Sequence, residues 1–93
     1  MSTLEEQSEV LAAKIGAAFS QFEGLAVRAD AGEEGRIFVA LRKAKKEREK
    51  AERFAKVLHE LVEQESGPLD FRLSQGAGDK DLLFLVELIE KKE

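Results

Sequence analysis

The sequence predicts an α+β fold. The expected architecture is a small two-layer sandwich in the order helix–strand–strand–helix–strand, closed by a C-terminal helix or a fourth strand, on a mainly antiparallel sheet. Three observations lead there. Apolar residues near the start recur at three- and four-residue spacing, as on one face of a helix. The run Arg36, Ile37, Phe38, Val39, Ala40, Leu41 is β-branched and aromatic, and it follows a turn holding two glycines. Residues 42–66 are dominated by the strong helix formers Lys, Glu, Arg, Ala and Leu, and they stop at Gly67 and Pro68.

The first helix is expected over 3–23. Ser2 and Thr3 each have a glutamate three residues on, Glu5 and Glu6, which makes two overlapping capping boxes. Leu4, Leu11, Ile15, Ala18, Phe19 and Phe22 form the apolar stripe, and Gly24 is a natural stop. Residues 25–29 alternate as a strand, 30–35 turn, and 36–41 return as a second strand of a hairpin. That second strand is apolar on both faces, which places it centrally.

The second helix is expected to follow almost without a loop. Ala44, Ala51, Phe54, Ala55, Leu58, Leu61 and Val62 make its stripe, so its first turns offer only alanine to a core. Glu49 with Arg53 and Glu52 with Lys56 stand four apart in the favourable order. Residues 69–73 alternate as a strand with Leu69, Phe71 and Leu73 inward, and 74–79 read as a loop. Residues 82–89 admit two readings. As a helix they take Asp79 as N-cap and bury Leu82, Leu85, Val86 and Ile89; as a strand they pair with 69–74 and put Leu82, Phe84, Val86 and Leu88 on one face. Leucine richness and the Asp-Lys-Asp start favour the helix.

Ninety-three residues suit one domain spanning 1–93. A chain of this size buries about 60–65% of its unfolded surface, so its core is thin and a homodimer is a natural supplement. Apolar residues at 43% beside charged ones at 37% describe a globular chain rather than a disordered one. The absence of cysteine excludes disulfides, thiolate metal sites and a cysteine nucleophile. Trp, Tyr and Asn are also absent, and the Lys, Glu and Arg content is thermophile-like. No apolar run reaches membrane-spanning length, and the acidic start lacks the pattern of a signal peptide. The expectation is therefore a cytoplasmic protein with no membrane partner.

Charge is distributed unevenly. Residues 42–53 hold seven basic and three acidic groups, a net of +4 in a chain of net −4, which leaves −8 elsewhere. On a continuous helix Lys43, Lys46 and Lys50 share one face with Arg42 and Arg53 at its borders, a cationic ridge suited to phosphates. Three glutamates interleave it, and no aromatic side chain adjoins it for base stacking. His59 stands four residues before Glu63, an arrangement expected on a helix flank rather than in a metal site. The pairs Glu5/Glu6, Glu33/Glu34 and Asp79/Asp81, and Asp70 with Glu87, are expected to be solvated or capping groups. Gly76-Ala77-Gly78 before a helix would offer backbone N–H groups to an anion, and a plain turn is its other reading. The surplus of apolar residues at 82–89 marks Leu83, Phe84, Leu85 and Leu88 for self-association.

The predicted element order resembles that of small KH-like modules, including ribosome-assembly factors, and of the ring-building modules of secretion systems. The resemblance is one of element order, with no family motif behind it. The functional expectation is a non-enzymatic protein-interaction or assembly module, homodimeric in its simplest form, with the long charged helix as its contact surface. The alternative is an RNA- or DNA-binding protein using the basic ridge of residues 42–53. No catalytic residue, metal or cofactor is expected.

Overall fold

The structure, a computed structural model, describes residues 4–90. The two capping boxes begin at Ser2 and Thr3, outside the described residues. The fold is α+β, with the order α1 (Leu4–Ala18), β1 (Gln21–Phe22), β2 (Leu25–Ala31), β3 (Arg36–Leu41), α2 (Arg48–Glu65), β4 (Asp70–Ala77) and β5 (Leu82–Ile89). The expected order thus gains a short strand after the first helix, and of its two closing alternatives, helix or strand, the strand is the one observed.

Helix α1 buries Leu11 and Ile15 of the expected stripe together with Ser8 and Ala12, while Ala18 at its end is exposed. The Ser8 hydroxyl donates to the Glu5 carbonyl (2.8 Å), so its burial leaves no unpaired group. The helix ends at Ala18, not at residue 23. Glu23 and Gly24 both have positive φ, 49° and 85°. Two such residues make the tight turn that matches the twist of a hairpin, here joining β1 to β2. Gly24 therefore turns a hairpin instead of stopping a helix. Phe19 and Phe22 still reach the core, in an edge-to-face chain with Phe54 and Phe84 whose centroid spacings run from 5.2 to 6.4 Å.

The sheet runs β1-β2-β3-β5-β4 and every pairing is antiparallel. Residues 82–89 are its inner strand β5, so the helix favoured by composition does not form. Leucine's preference for helix amounts to tenths of a kcal/mol per residue. Between β3 and β4, by contrast, the β5 backbone pairs along both edges, from Leu41↔Leu82 to Arg36↔Glu87 and from Ala77↔Leu82 to Asp70↔Ile89. Strand β4 also consumes residues 74–77, expected to be loop.

Helix α2 begins at Arg48 rather than at Arg42. Three contacts hold the preceding residues out of a helix. The Arg42 N–H donates to the Ala26 carbonyl (2.9 Å), Lys43 lies at φ 59° with its N–H on Asp81 Oδ1 (2.8 Å), and the Lys45 N–H donates to the Lys80 carbonyl (3.0 Å). Tertiary hydrogen bonds thereby override a good helical sequence. From Arg48 onward the expected face is observed: Ala51, Phe54, Leu58 and Val62 are buried.

Burial alternates along the two central strands. Ile37, Val39, Leu41, Leu82, Phe84, Val86 and Leu88 enter one core with α1 and α2. Their neighbours Phe38, Ala40, Leu83 and Leu85 lie on the opposite face of the sheet.

Candidate functional site

Two surfaces stand out. The first is the open face of the sheet. In register across β3 and β5, Phe38 pairs with Leu85 and Ala40 with Leu83. Phe38 is 52% exposed and Leu83 43%, so the centre of the face is apolar and wet. The Phe38 ring rests against Gly32, where an added Cβ would lie 2.5 Å from its Cε2. Gly76, beside Leu83 on β4, adds no side chain.

Charges of both signs frame that centre. Arg28 Nε lies 3.0 Å from Asp30 Oδ2, Arg36 Nε 3.9 Å from Glu87 Oε2, and Arg42 Nε 3.1 Å from Asp81 Oδ2. Arg72 is the cross-strand neighbour of Glu87 on its other side, and Asp70 faces Ile89. Four arginines thus share the face with four carboxylates, and it is close to neutral.

The second surface lies where the β3–α2 and β4–β5 loops meet. A cleft of about 450 Å³ is lined by Lys43, Lys45, Lys46, Glu47, Asp79 and Lys80. Lys45 and Arg48 also border an adjoining cleft with Glu52, Gln75 and Ala77. Among the described residues Lys14, Arg28, Arg36, Arg42 and Arg53 hold carboxylates. Among the same described residues, Lys43, Lys45, Lys46, Arg48 and Lys80 hold none at ion-pair distance. The two loops are tied by the Lys43–Asp81 and Lys45–Lys80 hydrogen bonds, so these cations are held together by the backbone.

The predicted ridge is not one surface. Only Lys50 and Arg53 of its five residues lie on α2. Arg53 forms a two-pronged pair with Glu23, Nε to Oε2 and Nη2 to Oε1, both 2.7 Å, and Lys50 Nζ donates to the Glu23 carbonyl (3.2 Å). This pairing holds the Glu23 carboxyl below its usual range and pushes the Arg53 guanidinium up. Arg53 therefore clamps the β1–β2 turn to α2 instead of pairing with Glu49. Arg42 belongs to the sheet face, while Lys43 and Lys46 belong to the loops. Lys45, Arg48 and Lys80 were missed as site residues. Lys80 lies far along the chain, in a segment for which the sequence admits both a helix start and the hairpin that delivers it.

Of the predicted self-association residues, Leu83 and Leu85 lie on the open face. Phe84 and Leu88 point the other way and are 2% and 4% exposed. They are core residues, because period-two alternation sends every second side chain into the core. His59 Nδ1 lies 3.6 Å from Glu63 Oε2, and its ring meets Phe71 edge-on at 5.1 Å, on the flank of α2 as expected. Gly76 is in β4 and Gly78 closes the β4–β5 turn through its N–H to the Asp81 carbonyl (2.9 Å), so neither precedes a helix. Among the described residues no three His, Cys, Asp or Glu side chains gather as a metal site, and no helix is long and apolar enough to cross a membrane. No family model, no curated protein and no solved structure matches the chain.

Proposed function

We propose that the chain is a non-enzymatic assembly module that binds a second copy of itself through the open sheet face. The observation that carries this reading is the pairing of Phe38 with Leu85 and Ala40 with Leu83 at the centre of a face whose arginines and carboxylates are equal in number. An apolar centre with a polar rim is the anatomy of a protein interface. On a two-layer reading of the fold, helices cover one side of the sheet and this side is left for a partner.

Charge balance selects the partner. A ligand of a single sign would meet as many repelling groups as attracting ones. A copy related by a two-fold axis brings arginines over carboxylates and carboxylates over arginines. Two such faces would stack at the spacing of a sandwich, about 10 Å apart. The footprint sets the strength. Four strands and about six residues of each cover about 400 Å² per copy. A standard interface takes about 800 Å² per partner, so the dimer is reversible, with a Kd on the order of 10–100 μM. Sedimentation equilibrium from about 10 μM to 1 mM tests this. Wild type should pass from monomer to dimer while Phe38→Asp stays monomeric with an unchanged far-UV spectrum. A wild-type protein that is monomeric throughout ends the reading.

A further inference from the structure

We infer that the lysine cleft between the β3–α2 and β4–β5 loops binds a compact polyphosphate group, two or three phosphates in series. The inference is independent of the self-association proposed above. Elsewhere on this acidic chain the cations are mostly matched to carboxylates or carbonyls; here five converge without an ion pair among the described residues, against Glu47, Glu52 and Asp79 in the two adjoining linings. Stability does not account for them. Lys43, Lys45 and Lys46 precede the first turn of α2, where the helix dipole is positive and disfavours cations. Lys43 adopts φ 59°, a conformation that costs a residue with a Cβ about 1 kcal/mol or more.

The type of cation fits the ligand. On the open face Arg28, Arg36 and Arg42 are each set through Nε against a single carboxylate. The cleft is lined by lysines, mobile point charges that gather around a phosphate from several sides. Its volume of about 450 Å³ lies within the range of small-molecule sites. The favoured ligand is compact for two reasons. No aromatic side chain lines the cleft, so a nucleobase has nothing to stack on. An extended polyanion would leave this local positive field for the rest of the surface, since the chain outside residues 42–53 carries a net −8.

Calorimetric titration with inorganic tripolyphosphate at low salt tests the site. Saturable binding should appear, should weaken as salt rises, and should fall at least about tenfold in the Lys45→Ala/Lys80→Ala variant. The Lys45→Arg/Lys80→Arg variant should recover most of that loss, and Arg72→Ala, on the open face, should leave binding unchanged. A thermal melt of each variant guards against unfolding. Vesicles carrying a bisphosphorylated headgroup form a second arm. Cosedimentation assigns the phosphates to a lipid and its absence assigns them to a free ligand, and the site stands in both cases. The inference is overturned if tripolyphosphate does not saturate, if the double alanine variant binds it as wild type does, or if a 12-nucleotide single strand binds where tripolyphosphate does not.

Discussion

The open sheet face and the lysine cleft share a boundary but solve the problem of surface charge in opposite ways. On the face, Arg28, Arg36 and Arg42 each meet a carboxylate, and the centre is left to Phe38, Leu83 and Leu85. In the cleft, the ammonium groups of Lys43, Lys45, Lys46 and Lys80 meet none among the described residues. A surface whose charges are matched offers its apolar area, because its polar groups are already satisfied. A surface whose charges are unmatched offers its field. One chain can therefore present two surfaces with different ligand chemistry, and the difference lies in local pairing rather than in the net charge of −4.

The comparison is first tested within β5, where adjacent residues take opposite sides. Phe84→Ala should cost about 3–5 kcal/mol in urea unfolding, the usual price of emptying an aromatic site in a core. Leu83→Ala should change stability by about 0.5 kcal/mol or less, as surface substitutions do, yet weaken self-association about tenfold. Equal stability losses from the two would mean that the face is not open.

The second test strikes the boundary. Asp81 accepts the Lys43 N–H through Oδ1 and pairs with Arg42 through Oδ2. Asp81→Ala should cost about 0.5–1.5 kcal/mol in unfolding and alter both surfaces, freeing Arg42 on the face and loosening the lysine loop. Asp81→Asn keeps the acceptor for Lys43 and loses the charge, so it should spare polyphosphate binding while weakening self-association. If both variants behave alike, the two surfaces are one.

A third test leaves the chemistry of Phe38 intact. In Gly32→Ala the new methyl group would lie 2.5 Å from the Phe38 ring and push it aside. Self-association should weaken about threefold to fivefold, with the melting temperature within a few degrees of wild type. Polyphosphate binding at the other surface should not move.

Much of the scaffold was legible in the residues and much of the site was not. The buried faces of α1 and α2 and the central strand β3 follow from periodicity, a local signal. The end of α1, the start of α2 and the nature of β5 do not. The end of α1 is set by the neighbouring β1–β2 turn at Glu23 and Gly24, and the other two by partners distant in sequence: Ala26 and Asp81 for residues 42–43, and β3 and β4 for residues 82–89. The site inherits those errors. Lys43, Lys46 and Lys50 look like one face only if a helix begins at Arg42. Leu83 and Phe84 look equivalent only while the period of their segment is open. Lys80 joins the lysine cluster through a hairpin that composition disguised as a helix start.

The smallest effect concerns the pair that keeps Arg53 out of the lysine cluster. The hydrogen-bonded Arg53 fork holds the Glu23 carboxyl below its ordinary value of 4.5. A depressed folded pKa contributes stability that is fully present above the unfolded value and is lost as pH falls through the folded one. The melting temperature of wild type should therefore drop below pH 4.5 with a component that Glu23→Gln lacks. That component should be small and should shrink in high salt, because the pair is exposed. The same pair predicts that Arg53→Ala leaves tripolyphosphate affinity within about twofold of wild type, since a guanidinium already committed to Glu23 has little left for a ligand. A large loss in Arg53→Ala would restore Arg53 to the cationic surface. The division would then run between α2 and the sheet, not between matched arginines and unmatched lysines.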